Sequence, residues 1–173
     1  MTVGASHDRL RLLGLDGGQI QRLERRGRVE ETLEDLAPVI ELYHHLVRAG
    51  NLDEAFKLFR DRINQATYYQ FGAYQLCIEL MHALFIDGED KPPRLKDESN
   101  QAWTLNGLAN SYSLSGQPRR AVPLFEMHNA SREKAGDKKN LAIGLENVAY
   151  MAQIQIGALR AVEHNLRRSI VLC

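Results

Sequence analysis

The chain has 173 residues, of which 44% are apolar and 25% charged, so it can bury a continuous core and does not have a disordered composition. Lys plus Arg and Asp plus Glu both number 22, and this balance disfavours a general binder of nucleic acid or of anionic membranes. No apolar run is long enough to cross a bilayer and no signal-peptide core follows Met1, so we expect a cytoplasmic protein.

Residues 1–36 are predicted to form a helical lead-in. Leucines cluster between positions 10 and 15 without a sustained period, which indicates a frayed start with one short helix. Gly17 and Gly18 precede a second helical segment. Two such glycines can form an anion-binding nest, but the further glycines, the Lys and the preceding strand of phosphate-binding motifs are absent. We therefore predict no phosphate site here.

Residues 29–49 repeat apolar side chains every three or four positions, as a helix does. Pro38 divides the pattern, so one helix should end near Asp35 and the next should begin near Pro38. Gly50 is predicted to end that helix. Asn51 is then expected to cap the next one, with Glu54 reaching back in a capping box.

Residues 53–69 and 73–85 are each predicted to form one helix. Positions 87–93 contain Pro92 and Pro93 and are expected to be a loop, because two prolines cannot lie inside a helix. Another helix should begin within 96–99. In the helix over 73–85, the side chains expected to be buried are Leu76, Leu80, Ala83 and Leu84, and Cys77 is expected to be a small, reduced core residue.

The stretch 105–125 contains two apolar helical segments on either side of a break at positions 115–118. Gly116 can adopt the left-handed conformation that closes one helix, and Pro118 is tolerated in the first turn of the next. Ala109 and Ala121 are small where a tight helix pair would cross, and a large side chain there would push the backbones apart.

This spacing resembles the tetratricopeptide repeat (TPR) pattern, a helical hairpin of about 34 residues. It departs from that pattern in having Leu105 in place of the Trp, Glu133 in place of the closing Pro, and Pro123 inside a helix. An ordinary antiparallel helix pair in a non-repeat bundle is the alternative. The matching positions are Leu105, Leu108, Ala109, Tyr112, Gly116, Ala121 and Phe125.

Two further copies of the pattern are predicted. The first comprises Val39, Leu42, Tyr43, Leu46, Gly50, Ala55 and Phe59, and its Ala55 precedes Ala121 by 66 residues. The third comprises Leu145, Val148, Ala149, Ala152, Ile156, Ala161 and Asn165, shifted by 40 residues from the central copy, which suggests a long loop near 136–139.

The resemblance implies an all-α, right-handed α-solenoid of stacked antiparallel hairpins over residues 37–173. About seven helices are expected along the whole chain, and no segment alternates with the period of a strand. Catalytic chemistry is not indicated. None of the six histidines has zinc-ligand spacing, His44 and His45 are adjacent on a helix, and no GxSxG occurs. We predict no enzyme activity, no metal and no cofactor.

In TPR proteins the first helix of each repeat lines a concave groove that binds a peptide or a partner protein. By resemblance we therefore expect a protein-binding scaffold without nucleic-acid or membrane partners. No Lys or Arg was found where a clamp for a C-terminal carboxylate would need it, so that ligand is not favoured. The predicted groove residues are Trp103, Asn106, Asn110 and Ser113 in the central copy, Glu146, Tyr150 and Gln153 in the third, and His44 and Arg48 in the first.

The last segment carries Leu166, Ile170 and Val171 at three- and four-residue spacing, with no following helix to cover them. Uncovered aliphatic side chains are costly in water. One consequence would be a homodimer formed through this helix. The alternative function is that of a regulatory or sensor segment in a larger multidomain signalling protein, for example an NTPase, packed against its neighbouring domains.

Overall fold

The computed structural model describes residues 33–172, so the predictions for the short N-terminal helix, the Gly17–Gly18 nest and the second N-terminal helix lie outside the described residues. For the same reason the proposed division at residue 36 stays a prediction. Every regular element within 33–172 is helical and none is a strand, as predicted. The chain forms two compact units, one ending at Phe71 and the other beginning at Gly72.

In the first unit, Pro38 lies in the first turn of a helix, where its missing N–H would have no partner in any case. The predicted helix start near Pro38 is confirmed, whereas the helix predicted to end near Asp35 begins outside the described residues. Tyr43 is fully buried, and this burial raises the pKa of its hydroxyl. The elements are a 3-10 turn at Leu33–Leu36, α1 at Ala37–Arg48, and α2 at Leu52–Leu58, which continues as π-helix through Phe59–Ile63 and Gln65–Gln70.

The second unit consists of five helices in which successive helices pack on one another. They are α3 at Tyr74–His82, α4 at Glu98–Leu114, α5 at Pro118–Lys134, α6 at Lys138–Asn147 with a π-helical continuation at Val148–Gln153, and α7 at Leu159–Leu172. Besides these sequential contacts, α4 packs against the π-helical segment of α6. The loop predicted over 87–93 and the helix start near 96–99 are both confirmed.

The helix predicted over 73–85 is shorter than expected, since α3 ends at His82 and turns follow. Leu80 and Leu84 are buried as predicted, whereas Leu76 and Ala83 are only half-buried. All six core positions of the central pattern are buried: Leu105, Leu108, Ala109, Tyr112, Ala121 and Phe125.

Four interhelical turns have the same hydrogen-bonded closure. At Gly116 (φ +80°), the glycine N–H bonds the Ser113 carbonyl at 3.2 Å, and the next N–H, of Gln117, bonds the Tyr112 carbonyl at 2.8 Å. This is a Schellman motif, which satisfies two carbonyls at a helix end. Gly50, Gly136 and Gly157 are the centres of the same closure. In each case the residue five positions later is buried: Ala55, Ala121, Leu141 and Val162.

These turns correct the predicted third copy. The turn residue is Gly157 and not Ile156, and the buried residue after it is Val162, whereas Ala161 and Asn165 are half-buried. The long loop near 136–139 is also wrong, because α5 ends at Lys134 and α6 begins at Lys138. A π-helix has about one residue more per turn than an α-helix, and a π-helical segment precedes Gly157. This extra residue accounts for the one-residue shift of the turn from position 156 to 157.

The predicted capping box at Asn51 is wrong as well. Asn51 occupies the N-cap position, but its side chain makes no capping bond. Its backbone N–H, which Glu54 would have to bind, is already donated to the Leu46 carbonyl at 2.9 Å in the turn closure. By contrast, Asp97 and Asp137 each accept a bond from the backbone N–H three residues on.

Within the described part of the chain, no helix combines the length and apolar character that crossing a bilayer requires.

Candidate partner-binding face

The most distinctive surface of the second unit lies on α4 and α6. On α6, apolar side chains recur at positions 143, 150 and 154, which share one side of a helix. Ile143 and Ile154 are each 45% exposed and Tyr150 is 57% exposed, although large apolar side chains are usually buried. Asn147 lies between them on the same side and is half-buried.

A matching stripe lies on α4, 40 residues earlier in the sequence. Trp103 and Asn110 are half-buried and correspond to Ile143 and Tyr150, and the exposed Leu114 lies at the end of the same helix. The two stripes are joined directly, because Asn147 Nδ2 donates a 3.0 Å hydrogen bond to Asn106 Oδ1. We call this surface the amide–apolar face; it comprises Trp103, Asn106, Asn110, Leu114, Ile143, Asn147, Tyr150 and Ile154.

The start of α4 is fixed by its N-terminal cap. Asp97 accepts a 2.9 Å bond from the backbone N–H of Asn100, and carboxylates at this position typically stabilise helices. Along the helix, Thr104 and Ser111 bond the carbonyl four residues back, at 2.8 and 2.9 Å, so these buried hydroxyls are satisfied locally.

The position of α6 is set by its contact with α5. Gly144 lies against His128 and Asn129, and a methyl group built on Gly144 would come within 2.0 Å of Asn129 Oδ1. His128 Nδ1 is 3.0 Å from the same oxygen. Burial lowers the pKa of His128, which favours the neutral ring in this contact. A side chain at position 144 would push α6 away from α5.

Tyr150 lies within the π-helical segment Val148–Gln153. Such segments are uncommon and often occur at functional sites. Because of this extra residue, equivalent positions of α4 and α6 that follow the segment are 41 residues apart, as Gly116 and Gly157 are. The π-helical segment also packs against α4.

Four of the seven groove residues predicted on these helices lie on the amide–apolar face: Trp103, Asn106, Asn110 and Tyr150. Of the other three, Ser113 and Gln153 are buried, which contradicts their placement in a groove, whereas Glu146 is exposed. Ser113 and Gln153 are only 3% and 4% exposed, and Gln153 Oε1 accepts a 3.0 Å bond from Asn165. Glu146 is turned to α7, where its carboxylate accepts a 2.8 Å bond from Ser169.

The predicted residues His44 and Arg48 lie in the first unit, on exposed positions of α1. Sequence reasoning missed Leu114, Ile143, Asn147 and Ile154. The available signal was the spacing of 143, 147, 150 and 154, which follows a helix face as well as the predicted set 146, 150 and 153 does. The prediction favoured polar side chains and therefore placed the face about one residue away from the exposed positions seen in the structure.

A second cluster ties the loop after α3 to the turn between α4 and α5. The Tyr112 hydroxyl donates to Glu89 Oε1, and Arg120 Nη2 donates to the same carboxylate at 3.0 and 3.2 Å. The Arg120 guanidinium lies 4.2 Å from the centre of the Tyr112 ring. Burial, together with the Glu89 bond, raises the pKa of Tyr112. His82 Nε2 approaches Glu89 to 3.4 Å. Each member has a partner here, so the cluster is structural.

Within residues 33–172, no three His, Cys, Asp or Glu side chains are grouped so that they could hold a metal ion. Searches of protein-family models, of curated proteins and of solved structures find no match to this chain.

Proposed function

We propose that this chain is a TPR-like interaction module that binds a peptide or protein partner on the amide–apolar face. The observation that carries this proposal is the stripe of three exposed large apolar side chains, Ile143, Tyr150 and Ile154. Exposed apolar groups clustered with amides are typical of protein-binding surfaces, in which tyrosine is often a principal contributor to affinity.

Three features support the TPR-like part of the proposal. The core positions of the central pattern are all buried, and four turns share one glycine closure. Two positions of this face on α4, Trp103 and Asn110, are followed 40 residues later by Ile143 and Tyr150 on α6, as expected when equivalent first helices lie side by side. The hydrogen bond between Asn106 and Asn147 joins those two helices directly.

Affinity capture with the intact protein, read by mass spectrometry, tests this function. Tyr150→Ala removes the most exposed ring of the face. Tyr69→Ala is a matched control, because Tyr69 is also an exposed tyrosine in a π-helical segment, in the first unit. We expect a partner that is retained by the parent protein and by Tyr69→Ala and is lost with Tyr150→Ala.

The thermal midpoint of Tyr150→Ala should stay close to that of the parent, since substitution of an exposed side chain usually changes stability by about 0.5 kcal/mol or less. Equal capture by all three proteins would contradict the proposed face.

A further inference from the structure

We propose that Glu146 selects the partner of the amide–apolar face: the bound segment presents an arginine that pairs with the Glu146 carboxylate and lies against the Tyr150 ring. Apolar side chains next to that arginine contact Ile143 and Ile154. This inference rests on the proposed function and specifies the chemistry of its partner. Two observations carry it: an oriented carboxylate at the edge of the face that has no cation, and an exposed ring one turn further along α6.

Glu146 lies at the edge of the amide–apolar face that is nearer to α7. It is exposed, Ile143 precedes it by three positions, and Tyr150 follows it by four. Residues three or four apart on a helix are neighbours on its surface. A partner that covers Ile143 and Tyr150 therefore also reaches the carboxylate of Glu146. A carboxylate that loses water in this way without gaining a hydrogen-bonded or charged partner would oppose binding.

The Glu146 side chain is held in one orientation although it is exposed. Its Oε1 accepts a 2.8 Å hydrogen bond from Ser169 Oγ, and Ser169 is itself only 1% exposed. Within residues 33–172, Oε2 accepts no hydrogen bond. The carboxylate is thus fixed through one oxygen and keeps the other for a ligand. Because the side chain is already ordered, a partner that binds it loses less conformational entropy.

Glu146 has no cation of its own within the described part of the chain. No ion pair joins it to a Lys or Arg, although α6 and α7 contain several cations. Arg167 pairs with Glu163 at 2.7 Å, and Arg168 pairs with Glu133 at 2.9 Å. The negative charge of Glu146 is therefore available to a positively charged partner group, and complementary charges of this kind give an interface its specificity. The cations on these two helices are Lys138, Lys139, Arg160, Arg167 and Arg168.

The exposed ring of Tyr150 favours arginine over lysine. A planar guanidinium can pair with a carboxylate and stack on an aromatic ring at the same time, which a compact ammonium group does less well. The protein already contains this arrangement. Arg120 Nη2 donates to the Glu89 carboxylate at 3.0 Å, while its guanidinium lies 4.2 Å from the centre of the Tyr112 ring. Glu146 and Tyr150 offer the same two groups at the surface, without an arginine.

The test uses three sets of fluorescent decapeptides with acetylated and amidated ends, titrated by fluorescence polarisation. The first set has a central Arg flanked by Leu, Ile or Phe. The second set replaces that Arg with citrulline, which keeps the shape of the side chain and removes its charge, and the third replaces it with Glu. We expect binders in the first set, with affinities about tenfold lower for their citrulline counterparts and lower still for the Glu peptides.

Variants of Glu146 then test the pairing. Glu146→Gln keeps an oxygen for the Ser169 bond, so it should weaken the Arg peptides about tenfold and leave the citrulline peptides nearly unchanged. Glu146→Lys should reverse the preference and bind the Glu peptides better than the Arg peptides. The matched control is Glu126→Gln, which removes an exposed carboxylate of α5 and should leave every affinity unchanged.

Three outcomes would overturn the inference. Arg and citrulline peptides that bind equally well, and are both lost with Tyr150→Ala, would support the proposed function but refute the role of Glu146. An equal loss in Glu126→Gln and Glu146→Gln would show that only the overall charge matters. Binding by none of the three sets would refute this ligand, and the capture experiment with Tyr150→Ala and Tyr69→Ala judges the proposed function separately.

Discussion

The two helical hairpins of the second unit, α4–α5 and α6–α7, close through the same turn but fill their cores differently. In the first hairpin, the large rings of Tyr112 and Phe125 are fully buried. The 41-residue shift between Gly116 and Gly157 places the buried amide Gln153 and the half-buried Leu166 at the corresponding positions of the second hairpin. The two hairpins therefore share the turn geometry but differ in the side chains that fill their cores.

Polar contacts show the same contrast. The first hairpin is held by Tyr112, Glu89 and Arg120, which attach the preceding loop to it. In the second hairpin, two side-chain hydrogen bonds join the helices: Asn165 Nδ2 donates to Gln153 Oε1, and Ser169 Oγ donates to the Glu146 carboxylate. No side chain of this hairpin is as large and as fully buried as Tyr112 or Phe125. The second hairpin should thus be the less stable of the two.

The largest difference in stability between the two hairpins is expected when a core side chain is removed. Phe125→Ala should destabilise the protein by about 3–5 kcal/mol, because it empties a fully buried position. Leu166→Ala, 41 residues later, should cost at most about 2 kcal/mol, since that side chain is already half in solvent. Chemical denaturation measures both. Equal losses would show that the two cores are equally important.

Overpacking gives the next effect and tests the register of the second hairpin. Ala121→Leu should cost about 1–3 kcal/mol, because Ala121 is fully buried between α4 and α5. Ala161→Leu should change stability by about 0.5 kcal/mol or less, as position 161 is half-buried and Val162 occupies the core. A large loss of stability in Ala161→Leu would instead indicate that Ala161 is the core residue and that the 40-residue spacing holds throughout the hairpin.

The sequence predicted the first hairpin more accurately than the second. The α4–α5 hairpin was predictable because Leu105, Ala109, Gly116 and Ala121 each occupy a position that their size or backbone freedom suits. The second hairpin was misplaced by one residue, because nothing in the sequence around Val148 marks a π-helical turn. Such a turn arises from packing against neighbouring helices, which hydrophobic periodicity does not encode.

Two helical glycines allow a sharper comparison between α4 and α6. Gly144→Ala should destabilise by about 1–2 kcal/mol, since the new methyl meets Asn129 and His128 in a buried contact. In Gly107→Ala, the new methyl would be 3.1 Å from Sδ at the flexible end of Met81 and in ordinary contact with the Trp103 ring at 3.7 Å. This variant should be neutral or gain up to about 1 kcal/mol from helix propensity. Thermal melts compare the two, and the opposite order would contradict the close packing of α6 on α5.

The smallest effect concerns pH. Burial lowers the pKa of His128 in the folded protein, so the unfolded chain binds the proton more readily. Its contribution is therefore complete above the unfolded pKa of about 6.5 and is lost as the pH falls through that value toward the folded pKa. Unfolding free energies at pH 7.5 and 5.5 should differ less in His128→Gln than in the parent. An identical difference in both proteins would place the pH dependence elsewhere.

The candidate face was predictable only in part. Trp103, Asn106, Asn110 and Tyr150 follow from helix periodicity and the repeat resemblance. Ser113 and Gln153 look equally suitable in sequence, but a helix position at the border of a face is buried or exposed according to its neighbours. The exposed state of Ile143 and Ile154 likewise depends on which helices surround α6. Sequence alone favours burying such residues.

Site-specific photo-cross-linking tests the central claim most directly. A photoreactive phenylalanine placed at Ile143 lies on the amide–apolar face, while one placed at the exposed Ala130 of α5 is outside it. We predict that the probe at position 143 cross-links a protein partner, that the probe at 130 gives little of that product, and that Tyr150→Ala abolishes it. Equal cross-linking from both positions, unaffected by Tyr150→Ala, would contradict the assignment of this face as the partner surface.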